Sequence, residues 1–448
     1  MKKIHEVSTI DFLLQTRQIY KNPLPFHREN FKKHGNTFKI TPKPGLTIHF
    51  SCDEEIVKYI LQKNQKNFEK SKLQTEDLGK YIGHGLLTEN GDQWRANRKL
   101  IQPAFYKKSL ATLLDTMKTT IDQELKEIPL GSEFDVYPLF NNLAFKVVAR
   151  SLFDLPYLDN VISRLQHITE EAQKMLIKEL RIPWMKWYFD REWLAGNKSV
   201  PFHIKLVDEA RAILQNIIDE RRRSKENHED LLNMLLYSTY EDGSKMDDDQ
   251  LIDEILVLFI AGHETTANAL SFAVQLLAQN SSVQEKAREE ISKNTGDTTF
   301  EQLVNLPYIK QCVEETLRLY PPAYVTDRVA LEDDQCHEVE MPAGSTWLIS
   351  FYELHRRADL WQDPEKFDPD RFNDQNAKKH KDFYFPFGAG SRMCIGNNFA
   401  IYEMIMVLAS LLKRFEIQPT REDIEIHPLI TLKPKNAILK FQRVQDFK

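Results

Sequence analysis

From about residue 92 to residue 320 the pattern is mostly helical, with apolar side chains recurring three and four apart. That spacing gathers them on one face of an α-helix. Leu110–Leu125, Val207–Arg222 and Gln250–Gln279 show it most clearly, and Asp230–Leu236 reads as a shorter helix. The charged stretch Arg221–Asp230 reads as a surface loop between two of them. A doubly wound fold needs regular strand–helix alternation, which is missing. Strand signals sit only at the flanks. Residues about 35–60 (GNTFKITPKPGLTIHF) alternate around Gly and Pro. After residue 320, Pro321-Pro322 stops a helix, Thr346–Phe351 and Ala437–Arg443 read as strands, and Asn397–Arg414 is one more apolar helix. The expectation is a mainly α chain with small peripheral β-sheets.

The 448 residues suggest several domains as a length prior, but Gly and Pro, 15 and 20 residues, nowhere concentrate into a linker. We therefore expect a single domain over 1–448. It would comprise a β-rich part about 35–60, a helical core about 92–320 and a β-rich, cysteine-loop region about 321–448. Apolar residues at 42% suffice for a large core and exclude wholesale disorder. A net charge of −6 gives no sign of nucleic-acid binding. Cys52, Cys312, Cys336 and Cys394 form no CxxC, so neither a zinc site nor a disulfide framework is indicated. The N-terminus lacks the apolar core of a signal peptide. The apolar runs Ile255–Ala261 and Met404–Ala409 fall far short of the ~18 residues that span a bilayer. A cytoplasmic protein with no membrane span is expected.

The most informative segment is Phe385-Pro-Phe-Gly-Ala-Gly-Ser-Arg-Met-Cys394-Ile-Gly396. As a dinucleotide fingerprint it lacks the third glycine and a preceding strand. Gly388, Gly390 and Gly396 let the backbone turn tightly and approach a large flat ligand. Backbone N–H groups of such a loop can stabilise a thiolate, and Arg392 adds positive charge. The bland alternative is a buried cysteine in an ordinary loop.

Phe387-x-x-Gly390-x-Arg392-x-Cys394-x-Gly396 resembles the haem-binding signature of the cytochrome P450 superfamily, and three further motifs match in order. Glu315-Thr-Leu-Arg318 places Glu and Arg three apart on one helix face. Alone it reads as a surface ion pair. The resemblance implies a buried cluster with Arg371 of Phe367-Asp-Pro-Asp-Arg-Phe372. Trp94-Arg-Ala-Asn-Arg98 resembles the pair that meets a haem propionate, a role the resemblance extends to Arg328 and Arg392. Ala261-Gly262-His263-Glu264-Thr265-Thr266 lies inside the long helix, where a glycine costs about 1 kcal/mol. The resemblance implies a local opening for dioxygen, with Glu264 feeding protons and Thr265 holding a hydrogen bond at the oxygen being activated. The alternative is a polar stripe with an incidental Gly. His263 reads as an ordinary helix residue. The implied fold is a triangular prism with haem between the long central helix and the cysteine loop.

The implied activity is mono-oxygenation on haem b with an axial Cys394 thiolate, dioxygen being the co-substrate. Phe387, Gly388 and Gly396 belong to the implied haem-binding set. About 50 residues follow Cys394, leaving no room there for a flavin domain. A separate ferredoxin or flavodoxin and its NAD(P)H-dependent reductase are expected. Arg95, Arg98, Lys99, Lys107, Lys108, Lys378, Lys379 and Lys381 would form its basic docking face, or be simple solvated charges. By family analogy His84, Ala261, Tyr324, Val325 and Leu429 line the substrate pocket, with Leu86, Leu87, Thr326, Ile430 and Thr431 near them. Trp184 and Trp187 lie in the stretch that caps it, although a Trp pair is more often core packing. The Lys/Asn/Ile-rich texture resembles soluble marine-bacterial enzymes that demethylate 6-O-methyl-D-galactose with release of formaldehyde. The central-helix and Pro-Pro regions resemble fatty-acid hydroxylases, so a fatty acid or terpenoid is the alternative substrate. A haem sensor without turnover is the alternative of another class.

Overall fold

The computed structural model describes residues 4–43, 45–153, 159–224, 228–294 and 306–444. The chain is mainly helical with small sheets, and it divides into two compact units. The first comprises Met1–Ser71, Glu124–Asn141 and Thr265–Lys448; the second comprises Lys72–Gln123 and Asn142–Glu264.

All the described strands lie in the first unit. Its main sheet has six strands, in the order His5–Val7, Thr37–Lys43, Leu46–Ser51, Thr346–Ser350, Val325–Ala330, Phe68–Glu69. Period-2 patterning explains them: Phe38 and Ile40 are almost wholly buried while their neighbours are not. Phe38 stacks on Phe50 at 4.8 Å, and His49 on Trp347 at 4.4 Å. The strand beginning at Phe415 pairs with Ile438–Arg443, and that strand with Glu133–Asp135. The apolar helix Asn397–Arg414 forms as its periodicity indicates and packs on Ser281–Lys293 and Pro307–Leu319. Helices Thr9–Lys21 and Leu24–His34 lie in the chain between strands His5–Val7 and Thr37–Lys43; the sequence reading does not set them apart.

The second unit is helical throughout its described residues. Its long helices are Asp159–Arg181 and Val200–Arg223, together with most of Val136–Phe153. Leu110–Leu125 is not one helix but two, Lys107–Ala111 and Leu114–Glu124. At the break the Thr112 hydroxyl donates to the Ser109 carbonyl (2.9 Å), the local competition that disfavours Thr in helix interiors. Helix Val200–Arg223 runs past Arg221, and residues 225–227 of the expected loop lie outside the described residues. Asp230 caps helix Leu231–Tyr237 by accepting from the Asn233 N–H at 2.8 Å.

The central helix, Asp248–Gln279, contributes residues to both units. By length and composition alone it could cross a membrane, contrary to the short apolar runs counted above. Most of its apolar window is buried inside the protein, as suits a core helix.

Candidate active site

The cysteine loop belongs to the first unit, between the main sheet and helix Asn397–Arg414. Its turns are closed by backbone bonds: Gly388 N–H to Phe385 O (3.0 Å), Met393 N–H to Gly390 O (3.2 Å), and Cys394 N–H to Phe387 O (2.9 Å). Gly390 is held at φ 70°, and a Cβ there would land on the carbonyl oxygen of Leu61. Only glycine meets both conditions. Gly388 shares the left-handed φ, at 71°. Gly396 does not; at φ −87° it starts the following helix, so its backbone freedom is not what the turn requires. The Ser391 amide and hydroxyl both bond Gln65 Oε1 at 2.8 Å. The outcome is a rigid loop presenting an exposed Cys394 thiol, whereas Cys52, Cys312 and Cys336 are buried. Behind it, the Phe385 N–H donates to Nε2 of the fully buried His355 at 3.0 Å. Burial holds that imidazole well below its usual pKa, so it is the neutral acceptor.

Arg328 stands on strand Val325–Ala330 and is buried, 7% exposed. Its guanidinium donates to Asp327 O (2.6 Å) and Thr326 Oγ1 (3.2 Å), both neutral acceptors. Burial first, and then the positive charge of Arg392, pull its pKa down to about 10 against the opposing effect of Asp327. Tyr324 is buried and spends its hydroxyl on the Leu429 carbonyl (2.9 Å). The Leu429 N–H bonds Thr431 O, and Asn268 on the central helix donates to Thr431 Oγ1 at 3.1 Å. Tyr324, Leu429 and Thr431 are thus brought together, with Val325 half-buried beside Tyr324. Ile430 is exposed.

Glu315 and Arg318 are both fully buried, not a surface pair. Arg318 forks onto the carboxylate at 2.6 and 2.8 Å, and Arg371 adds Nε at 3.3 Å. The remaining Arg318 donors reach the carbonyls of His355, Pro364 and Lys366. A planar guanidinium suits this many fixed acceptors better than an ammonium.

In the second unit, helix Gly91–Ile101 buries Trp94 and carries Arg98, whose Nε donates to Gln102 (3.3 Å). The central helix runs unbroken through Ala261–Thr266. Gly262 has a packing reason: a Cβ would sit 3.1 Å from Val148. His263 is buried, bonded to Phe259 O and edge-on to Phe145, as an ordinary helix residue would be. Glu264 is largely buried; Ala261 and Thr265 are half-buried.

The sequence reading missed Asp253 and Glu254. Asp253 accepts from the His84 N–H (2.7 Å) and ion-pairs Arg211. Glu254, fully buried, accepts from the Leu86 N–H (2.9 Å), Asn97 Nδ2 and Gln250 Nε2 (both 3.2 Å). Burial pushes its pKa up to about 7 against those donors, and Asp253 adds to the rise. The available signal was two acids inside the apolar run Leu251–Ile260. The His84 side chain itself is exposed, 3.6 Å from Glu89.

Of the basic residues, Arg95 pairs with Asp92 and Lys99 with Glu241. Lys107, Lys108, Lys378, Lys379 and Lys381 are exposed. Trp184 and Trp187 are 63% and 56% exposed, so they are not core packing.

The cytochrome P450 family model matches residues 8–441. Among relatives, the cyclooctat-9-en-7-ol 5-monooxygenase of Streptomyces melanosporofaciens is 29% identical over 92% of this chain and 88% of its own length. The pentalenene oxygenase of Streptomyces avermitilis is 26% identical, covering 92% and 90%. The echinocystic acid 23-monooxygenase of Saponaria officinalis is 32% identical, covering 94% and 84%. The family implies haem with an axial cysteine thiolate, and dioxygen as co-substrate. The first unit fits such a group: a soft thiol on a rigid loop, and a buried guanidinium beside a like charge, which a carboxylate-bearing ligand would relieve. With nearly the whole length matched and monooxygenases among its relatives, this chain belongs to the cytochrome P450 family and is an oxidoreductase.

Proposed function

We propose that Cys394 is the axial ligand, and that the chain oxygenates an apolar, ring-bearing substrate of terpenoid kind as a single functional domain. The rigid loop with its exposed thiol is the observation that carries the ligand assignment. The family resemblance assigns the propionates to Trp94, Arg98, Arg328 and Arg392 and haem binding also to Phe387, Gly388 and Gly396; of these glycines Gly388 shapes the turn, and Gly396 starts the helix after it. The bound haem supplies activation of dioxygen for insertion of one oxygen atom into a C–H bond. The chain's own residues do the rest. Glu264 takes protons from solvent and passes them on; the Thr265 hydroxyl donates at the oxygen site. Glu315, Arg318 and Arg371 fix the core behind the loop. The residues assigned to the substrate pocket by the family resemblance are Tyr324, Val325 and Leu429 of the first unit, and His84 and Ala261 of the second. Electrons come from a ferredoxin or flavodoxin and its reductase, and the working compartment is the cytoplasm.

The terpenoid reading is supported by two relatives from Streptomyces, the cyclooctat-9-en-7-ol 5-monooxygenase and the pentalenene oxygenase. Demethylation of 6-O-methyl-D-galactose rests on residue texture alone and takes second place.

Three measurements test this. The reduced, carbon monoxide-treated protein should give the thiolate-type Soret band, and Cys394→Ala should lose it while staying folded. A titration panel of terpenoids, fatty acids and methylated sugars, scored by the Soret shift, should respond to the apolar ring compounds. A response to methylated sugars alone would reverse the order of the two substrate readings. Thr265→Ala should keep oxygen consumption but detach it from product; unchanged coupling would remove Thr265 from proton delivery.

A further inference from the structure

We infer that Glu254 is a positioning residue: its one carboxyl joins the Gly83–Thr88 loop and the helix bearing Trp94 and Arg98 to the central helix, and so governs how firmly that loop is closed. This rests on the proposed reading of residues 84–87 as part of the substrate pocket.

The geometry is specific to this place. Oε2 accepts from the Leu86 N–H, and Oε1 from Asn97, one residue before Arg98, and from Gln250. Gln250 also reaches back to the His84 carbonyl at 2.8 Å. Asn97 is itself fully buried; its Oδ1 receives Gln93 (3.0 Å) and the Tyr240 hydroxyl (2.7 Å). The loop comes so close that a Cβ on Gly85 would lie 2.8 Å from Glu254 Oε2, and one on Gly83 would strike Asp253. Leu86, Asn97 and Gln250 are all neutral donors to Glu254. The charged and titratable groups around it are Asp253 on its own helix, His84 and Glu89 on the loop, and Tyr240 before the helix. Asp242 and Asp247 lie near Tyr240, and Arg211 neutralises Asp253 from helix Val200–Arg223. Helix Gly91–Ile101 faces it with Asn97.

The sign follows from hydration. Closed, the carboxyl has its pKa raised from 4.5 to about 7, chiefly by burial. Opening the loop admits water and returns it toward 4.5. The closed loop therefore holds the proton more tightly, so closure is strongest in acid and weakens as pH rises from 4.5 to about 7, then levels off.

The test is hydrogen exchange across residues 83–89, expressed as protection factors to remove the intrinsic pH dependence of exchange. It is run on holoenzyme that has already shown the thiolate-type carbon monoxide spectrum, so failure of the haem reading is seen separately. In the native protein, protection should fall by roughly 25- to 30-fold between pH 5.5 and pH 8, the value set by those two pKa values. Glu254→Gln should keep the acid-side protection at every pH. The substrate affinity read by the Soret shift should lose the same pH dependence in that variant, with KM moving and kcat staying. Native protection that is flat from pH 5.5 to 8 overturns the proposal, even if the variant does not fold. So does a variant that keeps the native pH dependence.

Discussion

Glu315 and Glu254 are both fully buried carboxyls that each hold several stretches of chain, yet they are compensated in opposite ways. In the first unit, two guanidinia surround Glu315, so charge meets charge. In the second, amide N–H groups of Leu86, Asn97 and Gln250 surround Glu254. The difference teaches what each region is for. In the ion cluster Arg318 and Arg371 pull the Glu315 pKa down against a burial effect that still leaves it raised above 4.5, and the cluster stands behind the cysteine loop. A carboxyl held by neutral donors sits near its own titration point, and it stands under the Gly83–Thr88 loop.

The largest expected effect breaks the first joint. Arg318→Ala would leave Glu315 buried beside Arg371 alone and cost about 3–5 kcal/mol, a large share of a domain's stability. Glu254→Gln should cost no more than about 1 kcal/mol at neutral pH, since an amide still accepts from Leu86. Urea unfolding midpoints measure both. Equal costs would mean that the two carboxyls do the same work.

Next comes the response to acid, which should have opposite signs in the two regions. Burial lowers the pKa of His27 and His49 from 6.5 to about 4, and that of His355 further, all in the first unit. Below pH 6.5 the unfolded chain binds protons that the folded one refuses. Stability should fall from pH 6.5 toward 4 by up to about 1.4 kcal/mol per pH unit for each histidine. Over the same range the Gly83–Thr88 loop should tighten. Scanning calorimetry from pH 8 to pH 5 reads the first trend; a flat melting temperature would contradict it.

A smaller effect compares two glycines. Gly390→Ala combines a left-handed φ with collision against a backbone carbonyl and should cost about 1–3 kcal/mol, with weakened haem retention. Gly85→Ala, at ordinary φ, meets the Glu254 carboxyl and the Val257 methyl rather than backbone. It should barely shift the melting temperature, while the loop's protection falls.

These contrasts also mark what the sequence discloses. The cysteine loop and helix Asn397–Arg414 are legible because local spacing dictates them, whereas the Glu315–Arg318–Arg371 cluster is legible only through the family resemblance, since spacing alone reads as a surface ion pair. Gly390 needs its φ, and apolar residues recur along one helix. The loop at His84–Leu87 is legible only as a segment. Its anchors, Asp253 and Glu254, lie about 170 positions away in the chain and show up only as acids in an apolar run. The exposed Trp184 and Trp187 mislead for the converse reason: an aromatic pair carries no local mark of which way it faces. The break at Thr112 was hidden too, because a threonine fits a helical period while its hydroxyl competes for the carbonyl.

The smallest effect asks whether the two acids of the central helix act separately. Arg211 pairs with Asp253 and, at 3.0 Å, with Asp249. The pair is partly open to solvent, with side chains 26% and 13% exposed, so Arg211→Met should cost under about 1 kcal/mol. Asp253 also accepts the His84 N–H, and losing its cation lets that carboxylate turn toward water. Residue-resolved exchange should then speed up at the His84 amide by no more than about fivefold. The Leu86 amide, held by Glu254, should stay as it was. If both amides quicken together, the loop opens as one piece and the two carboxyls form a single hold; if His84 moves alone, Glu254 keeps its end of the loop unaided.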